Sequence, residues 1–410
     1  MPQKDSYLKI LKGNRPFLLF LAGQGASSLG DAFQLIAVTS LLFTMTGSGM
    51  SAAFGVICAP IPAILLSPVA GSLGDRFNPK GMLILLDLLR AAVAIFFIFR
   101  ASVFVIYTVL LLLSILNVLY NPPSKRLIVG MLDRRDIMLG NSLLSGVGGI
   151  SYLVGPVAAG YLVEATGTEA AFIINAASFI FCAFMTMLIK KSSIKANASP
   201  HGRVKTEGIA EGIFRGFTYL NSSASIKKII VTCTVMSFGI ASVNTAFYPF
   251  AFDVLKVTPK GWGLMISVFY GTSLTGMLIA VLLNKRMQHS IYKFVYIFLF
   301  IISMVWFCYG ATGSMAVVLL LQLVEGTVTA VCVIALSAQL QLSSQKSFIG
   351  RAAAANELLS NGGKLLGIAV SYWVMLRYSP QAAFIVNSAI LASFIMYRVA
   401  LRTGGRIRHS

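Results

Sequence analysis

The chain has 410 residues, of which 57% are apolar and only 11% charged, against roughly 25% charged in a soluble domain. So few ionisable groups cannot cover a water-soluble surface of this size, which excludes a soluble enzyme, a disordered chain and a small disulfide-stapled module. Mean hydropathy is +0.82; at about 20 residues per bilayer crossing, the chain has room for about a dozen spans.

Lys4, Lys9, Lys12 and Arg15 precede the first span, at 17–44. That span is too long for a signal-peptide core and lacks a small-residue cleavage site, so it is expected to stay in the protein. Gln24, Ser27, Asp31 and Gln34 share one of its faces, and Asp31 lies roughly 21 Å along it at 1.5 Å per residue. A charge at a helix centre costs about 2.5–3.5 kcal/mol on insertion scales. The stripe is therefore expected to face the bundle interior or a water-filled cavity, with Asp31 binding a proton or a cationic substrate. Spans two and three cover 51–71 and 81–99. On the third, Asp87 and Arg90 stand three apart and can pair, which reads as a structural pair supporting the loop before it. The fourth span, 102–120, ends at Asn121-Pro122-Pro123; Asn117, Tyr120 and Asn121 offer a neutral hydrogen-bonding wall. Spans five and six cover 142–163 and 170–189. Gly146, Gly155, Pro156 and Gly160 on the fifth are residues at which helices pack closely and bend in lipid.

Residues 190–228 read as a basic cytoplasmic linker. Within it Ile209, Ile213, Phe217 and Leu220 fall at helical spacing, the pattern of a short helix lying along the membrane surface. Spans seven to twelve follow at 229–251, 261–283, 293–310, 315–340, 353–376 and 380–398. Asn244, Thr245 and Tyr248 add polar groups to the seventh. Glu325 lies roughly 15 Å into the tenth, near the midplane, with Gln322 and Thr329 on its face. Glu357, Asn361 and Lys364 form a similar stripe at the start of the eleventh. The expected architecture is an all-α polytopic membrane protein of twelve helices in two pseudo-symmetric six-helix bundles, 1–189 and 229–410, joined by 190–228. Transporters built from two repeated halves have this layout and bind substrate between the halves.

The net charge of +20 could point to nucleic acid, but its distribution argues otherwise. With both termini cytoplasmic, roughly 27 of the 33 lysines and arginines fall on inner segments and about 4 outside, as the positive-inside rule requires. The expected partner of this charge is anionic inner-leaflet lipid. Cys58, Cys182, Cys233, Cys308 and Cys332 all lie in apolar stretches without paired spacing, and His201, His289 and His409 are far apart. No metal site, cofactor or catalytic constellation is expected, and so no enzyme.

The loop between spans two and three reads Gly71-Ser72-Leu73-Gly74-Asp75-Arg76-Phe77-Asn78-Pro79-Lys80. It resembles motif A of the major facilitator superfamily, with Asn78 in place of the usual Gly and Pro79 in place of a basic residue. The resemblance implies a gate in which Gly71 allows close helix approach and Asp75, with Arg76 and Lys80, faces helix ends and nearby cations. Ser28-Leu29-Gly30-Asp31, Thr46-Gly47-Ser48, Leu139-Gly140-Asn141-Ser142-Leu143 and Gly350-Arg351 are similar to the drug:proton antiporter-3 branch, which includes macrolide and siderophore exporters. Gly146 with Gly155-Pro156-Val157-Ala158-Ala159-Gly160 resembles the antiporter motif C; span four lacks the arginine that many drug antiporters carry there. In this fold spans one, four, seven and ten line the central cavity, so Asp31 and Glu325 would look into it from different halves. The implied function is a plasma-membrane exporter of an amphipathic small molecule, monomeric and proton-coupled. The alternatives are a lysophospholipid flippase of the same fold and a non-transporting sensor.

Overall fold

The computed structural model describes residues 13–55, 60–99, 102–133, 136–190, 224–288, 291–343 and 349–407. Twelve long helices run through them. The first six are α1 (Arg15–Thr46), α2 (Pro60–Arg76), α3 (Pro79–Ile95), α4 (Val103–Met131), α5 (Ile137–Thr166) and α6 (Thr168–Leu188). The second six are α7 (Ala224–Pro249), α8 (Pro259–Gln288), α9 (Ile291–Ala311), α10 (Met315–Ser343), α11 (Ile349–Arg377) and α12 (Pro380–Ile407). A two-turn helix, Gly49–Gly55, precedes α2. The surface helix expected at 208–220 and most of the linker lie outside the described residues.

Among the described residues, ten of these helices are long and apolar enough to cross a membrane. The other two are α2, which has 17 residues, and α11, which carries Arg351, Glu357 and Lys364 up to its middle. Backbone polar groups in lipid must be satisfied within the chain, so uninterrupted helices are the expected form of such segments.

The chain divides into two compact units, Met1–Lys205 with Val257–Ser267, and Thr206–Lys256 with Val268–Ser410. In the first, α1 packs on α5 and α6, and α3 on α4 and α6. In the second, α7 packs on α11 and α12, and α9 on α10 and α12. The pairings recur with an offset of six helices, which is the internal repeat expected of two related halves.

Helix ends follow local chemistry. Asn14 caps α1 by accepting from the Phe17 amide at 3.0 Å, while its own Nδ2 donates to the Met131 carbonyl at 2.8 Å. That second bond ties the start of α1 to the end of α4. At the other end, Gly47 takes φ +68° and its N–H returns to the Phe43 carbonyl at 2.7 Å. Only a residue without Cβ adopts this left-handed stop cheaply, so Thr46-Gly47-Ser48 is a helix terminator.

Two elements differ from the sequence reading. Helix α4 does not end at 120 but continues through Pro122 and Pro123 to Met131. Each proline removes one donor; here Gly74 of α2 lies so close that a Cβ on it would stand 2.7 Å from Pro122 Cβ, so the disrupted turn is covered by a neighbouring helix. Helix α7 ends in a π turn, Phe250–Val254, where the Leu255 amide reaches back to the Phe250 carbonyl at 2.8 Å. Such wide turns insert an extra residue per turn.

Candidate functional site

In the first unit, four helices bring polar groups to one point. Asp87 and Arg90 of α3 are both buried, with Arg90 Nη1 3.4 Å from Asp87 Oδ1. Tyr120 of α4 donates its hydroxyl to Asp87 Oδ2 at 3.3 Å and accepts from Gln24 Nε2 of α1 at 2.6 Å. The Arg90 guanidinium lies over the Tyr120 ring, 3.9 Å from its centroid. Cys182 of α6 closes the ring of contacts at 3.3 Å from Gln24 Nε2 and 3.7 Å from the Tyr120 hydroxyl. The pair is therefore part of a buried network that includes two residues expected in the central wall.

Asp31 of α1 joins this network through space. Its side chain is half-buried, and its charge is attracted by Arg90 and repelled by Asp87. Arg90 bonds to Asp87, and Asp31 feels both charges without a bond to either. Gln34 points instead towards α6, where its Oε1 accepts from Asn175 Nδ2. The stripe on α1 is split accordingly: Gln24 and Gln34 bond to neighbouring helices, and Asp31 between them is half-buried.

In the second unit the Glu325 side chain is held against α9, where Trp306 Nε1 donates to Oε1 at 2.6 Å and the Tyr309 hydroxyl to Oε2 at 2.7 Å. Only 6% of the residue is exposed. Phe247 of α7 and Phe384 of α12 pack on the Tyr309 ring at 5.0 Å and 5.6 Å. Gly239 of α7 leaves room for the indole, since a Cβ there would lie 2.6 Å from Trp306 Cη2. Gln322 and Thr329 are buried on the same face of α10. Helical spacing grouped the three correctly, yet could not say which neighbour the face meets. Asn117, Asn121 and Asn244 are exposed and Tyr248 is half-buried.

The motif A loop is held by bonds that its sequence did not announce. Asn78 caps α3 by accepting from the Lys80 amide at 3.0 Å. Lys80 Nζ donates to the carbonyls of Met187 and Ile189 at 2.9 and 2.6 Å, a cation on the last carbonyls of α6 where the helix dipole favours it. Arg126 of α4 donates to the carbonyls of Gly74 and Phe77. The side chains of Asp75 and Arg76 and the surroundings of Gly71 lie outside what the structure describes, and with them the gate contacts expected of Asp75.

On motif C, Gly155 and Gly160 mark two close approaches. A Cβ on Gly155 would stand 2.7 Å from Ala32 Cβ of α1, and one on Gly160 2.7 Å from the Pro259 carbonyl oxygen at the start of α8. Reciprocally, Gly263 of α8 lies against the Pro156 carbonyl. Lys260 Nζ sits 4.2 Å from the Tyr161 ring centroid beside this crossing. Gly146 has open space where a Cβ would go, so its presence is not a packing requirement.

Sequence reasoning missed Cys182, Trp306 and Tyr309. The last two stand three apart on α9, the spacing of one helix face, but aromatic residues in an apolar span carry no mark that separates a socket from filler.

Known proteins share this arrangement of helices. The sequence profile described as Major Facilitator Superfamily matches residues 17–367. An MFS-type transporter of Bacillus subtilis, YfiS, is 26% identical over 50% of each chain. The multidrug efflux pump Tap of Mycolicibacterium fortuitum is 22% identical over 61% of this chain and 63% of its own. The chain thus spans between half and two thirds of the length of these relatives. Sugar efflux transporter A of Dickeya chrysanthemi is 26% identical over 82% of this chain and 83% of its own. Among solved structures, the nucleoside transporter NupG has a TM-score of 0.70 at 14% identity, covering 94% of this chain and 98% of that one. A bacterial homologue of the iron transporter ferroportin has a TM-score of 0.70 at 16% identity, covering 93% and 98%. At these identities the structures establish the fold alone.

Proposed function

The chain belongs to the major facilitator superfamily, and from that membership we propose that it is a secondary active exporter of an amphipathic small molecule, driven by protons. Transport of a small molecule by a multi-pass membrane protein follows from the family; export, coupling and substrate are the proposal. Relatives named for multidrug, macrolide and sugar efflux support the export direction. They do not agree on a substrate, and an amphipathic one is favoured by the drug and macrolide names together with motif C.

The observation that carries proton coupling is a charge count. Asp31 feels the charge of Arg90, which already pairs with Asp87, so two acids and one base stand within electrostatic reach of one another in the first unit. A carboxylate without a counter-charge in the apolar layer is costly. The network is relieved when one acid binds a proton, or when Asp31 meets a cationic substrate. Competition between those two occupants is the essence of antiport. One elementary charge crossing 100 mV is worth about 2.3 kcal/mol, enough for a single proton to support a substantial substrate gradient. The two halves alternate in exposing the site to either side of the plasma membrane, with both termini in the cytoplasm and anionic inner-leaflet lipid against the basic inner segments. The protein works as a monomer.

The test is transport in proteoliposomes under an imposed pH gradient, with a macrolide and a fluorescent amphipathic cation as probes. Gradient-dependent flux that disappears in Asp31→Asn supports the reading. Flux indifferent to the gradient, or full activity in Asp31→Asn, removes proton coupling.

A further inference from the structure

The Glu325 socket has a hydrogen-bond inventory that fixes how it could hold a proton. A carboxylate accepts two bonds, and here one comes from an indole and one from a phenol. An indole N–H only donates, whereas a phenol hydroxyl donates or accepts. If Oε1 took a proton, it would confront the indole hydrogen at 2.6 Å and one bond would have to break. If Oε2 took it, the new O–H would point at the Tyr309 oxygen, 2.7 Å away, which can turn from donor to acceptor. The bond from Trp306 to Oε1 then persists in both states.

We propose that Glu325 is a one-proton site in the second unit, with Tyr309 as its relay and Trp306 as its fixed anchor. The step balances. The phenol passes its hydrogen to Oε2, forming the carboxylic O–H. The phenol oxygen takes an incoming proton on its other lone pair; Tyr309 is fully buried, so that proton arrives when the socket opens to water. Net uptake is one proton, no covalent bond between heavy atoms changes, and release reverses the sequence.

The surroundings suit a proton better than a metal or an ion pair. On α9 the titratable group facing Glu325 is Tyr309 itself; α7 and α12 contribute Phe247 and Phe384 around it. On α8 the hydroxyl of Thr272 donates to the Gln322 carbonyl at 3.1 Å. Among the described residues no lysine, arginine, histidine or second acid acts on Glu325. The inventory also suggests an entry side. Tyr309 lies two residues before the end of α9 at Ala311, whereas Glu325 is deep within α10, so the relay stands between the acid and the α9–α10 turn. That turn is extracellular in the orientation proposed above, the side from which driving protons arrive. The assignment deepens the proton-driven reading and rests on it for its biological use. The titration itself needs neither gradient nor substrate.

The experiment is infrared difference spectroscopy on the purified protein in lipid nanodiscs after a pH jump across the neutral range. The expected result is a protonated-carboxyl band that is absent from Glu325→Gln. Bands of ring-deuterated tyrosine should switch from the donor to the acceptor form at the same midpoint in the unmutated protein. Tyr309→Phe should slow the appearance of the carboxyl band about tenfold or more, and Trp306→Phe should shift its frequency without that slowing. The assignment is overturned if Glu325→Gln keeps the band, if the tyrosine bands do not follow it, or if Tyr309→Phe protonates at the unmutated rate. The tyrosine marker needs no substitution, so a Tyr309 variant that fails to fold leaves the test decisive. A socket that titrates in a protein without gradient-driven flux would sink the exporter reading alone; flux with a silent socket would sink the relay alone.

Discussion

The hydroxyl of Tyr120 stands 3.3 Å from Asp87 Oδ2, and the ring that carries it supports the Arg90 guanidinium at 3.9 Å. One side chain thus serves both members of a buried ion pair, the anion through its oxygen and the cation through its π face. Removing either contribution has a separable effect.

Tyr120→Phe keeps the ring and loses the hydroxyl. A bond to a charged group is worth about 1.5–3 kcal/mol net. The variant should fold and bind lipid normally, with a lower melting temperature in detergent and weaker gradient-driven transport. Tyr120→Leu removes the π face as well and should melt lower still. Equal melting temperatures for the two would show that the ring contributes nothing.

Breaking the Asp87–Arg90 pair on one side should cost more than breaking it on both. Leaving one buried charge unpaired is worth about 3–5 kcal/mol of destabilisation, while replacing both members by neutral groups is often close to neutral. Arg90→Gln should therefore give little monodisperse protein on size exclusion, and the double variant Asp87→Asn with Arg90→Gln should recover most of the yield. Recovery should be incomplete for transport, because the acid–cation count that Asp31 depends on has changed.

The three glycines of motif C should not respond alike. At Gly160 an added methyl group meets the backbone of Pro259 and Lys260 at 2.7 and 2.8 Å, and backbone cannot rotate away. Overpacking of this kind costs about 1–3 kcal/mol. At Gly155 the methyl group meets Ala32 Cβ at 2.7 Å, so Gly155→Ala should be relieved in part by Ala32→Gly. At Gly146 nothing stands within 4 Å, and Gly146→Ala should be silent. Thermal-shift measurements on the three single variants and the Ala32 double variant check the ranking.

Lys80 acts on the end of α6 through the Met187 and Ile189 carbonyls. Lys80→Met should fray that turn by about 0.3–1 kcal/mol. Amide hydrogen exchange over residues 186–189 should speed up in Lys80→Met and stay slow at the opposite end of α6, near Thr168. Uniform acceleration along α6 would point to global destabilisation and against a local cap.

Much of the architecture was legible because bilayer and sequence obey one constraint. Apolar runs bounded by charge or by Gly and Pro mark crossings, and Asp87 and Arg90 could be paired by spacing alone. The run ending at Tyr120 misled, because Pro122 and Pro123 signal a stop in water but persist in a helix covered by Gly74. Side-chain destinations were harder. In lipid the face opposite the solvent is no more apolar than the face opposite a neighbour, so Glu325, Gln322 and Thr329 could be grouped but not aimed. Trp306 and Tyr309 were invisible for the same reason. Lys80 was read as part of a gate; its bonds to carbonyls depend on where α6 ends in space, which no local pattern encodes.

The π turn at Phe250–Val254 has a practical corollary for anyone probing α7 residue by residue. A labelling scan read on a 3.6-residue wheel will stay in phase up to Pro249 and then slip, so reactive positions beyond Phe250 will appear one place late. Such a slip marks the wide turn and not a change in what the helix faces, and it is confined to the last turn, because the helix stops at Leu255.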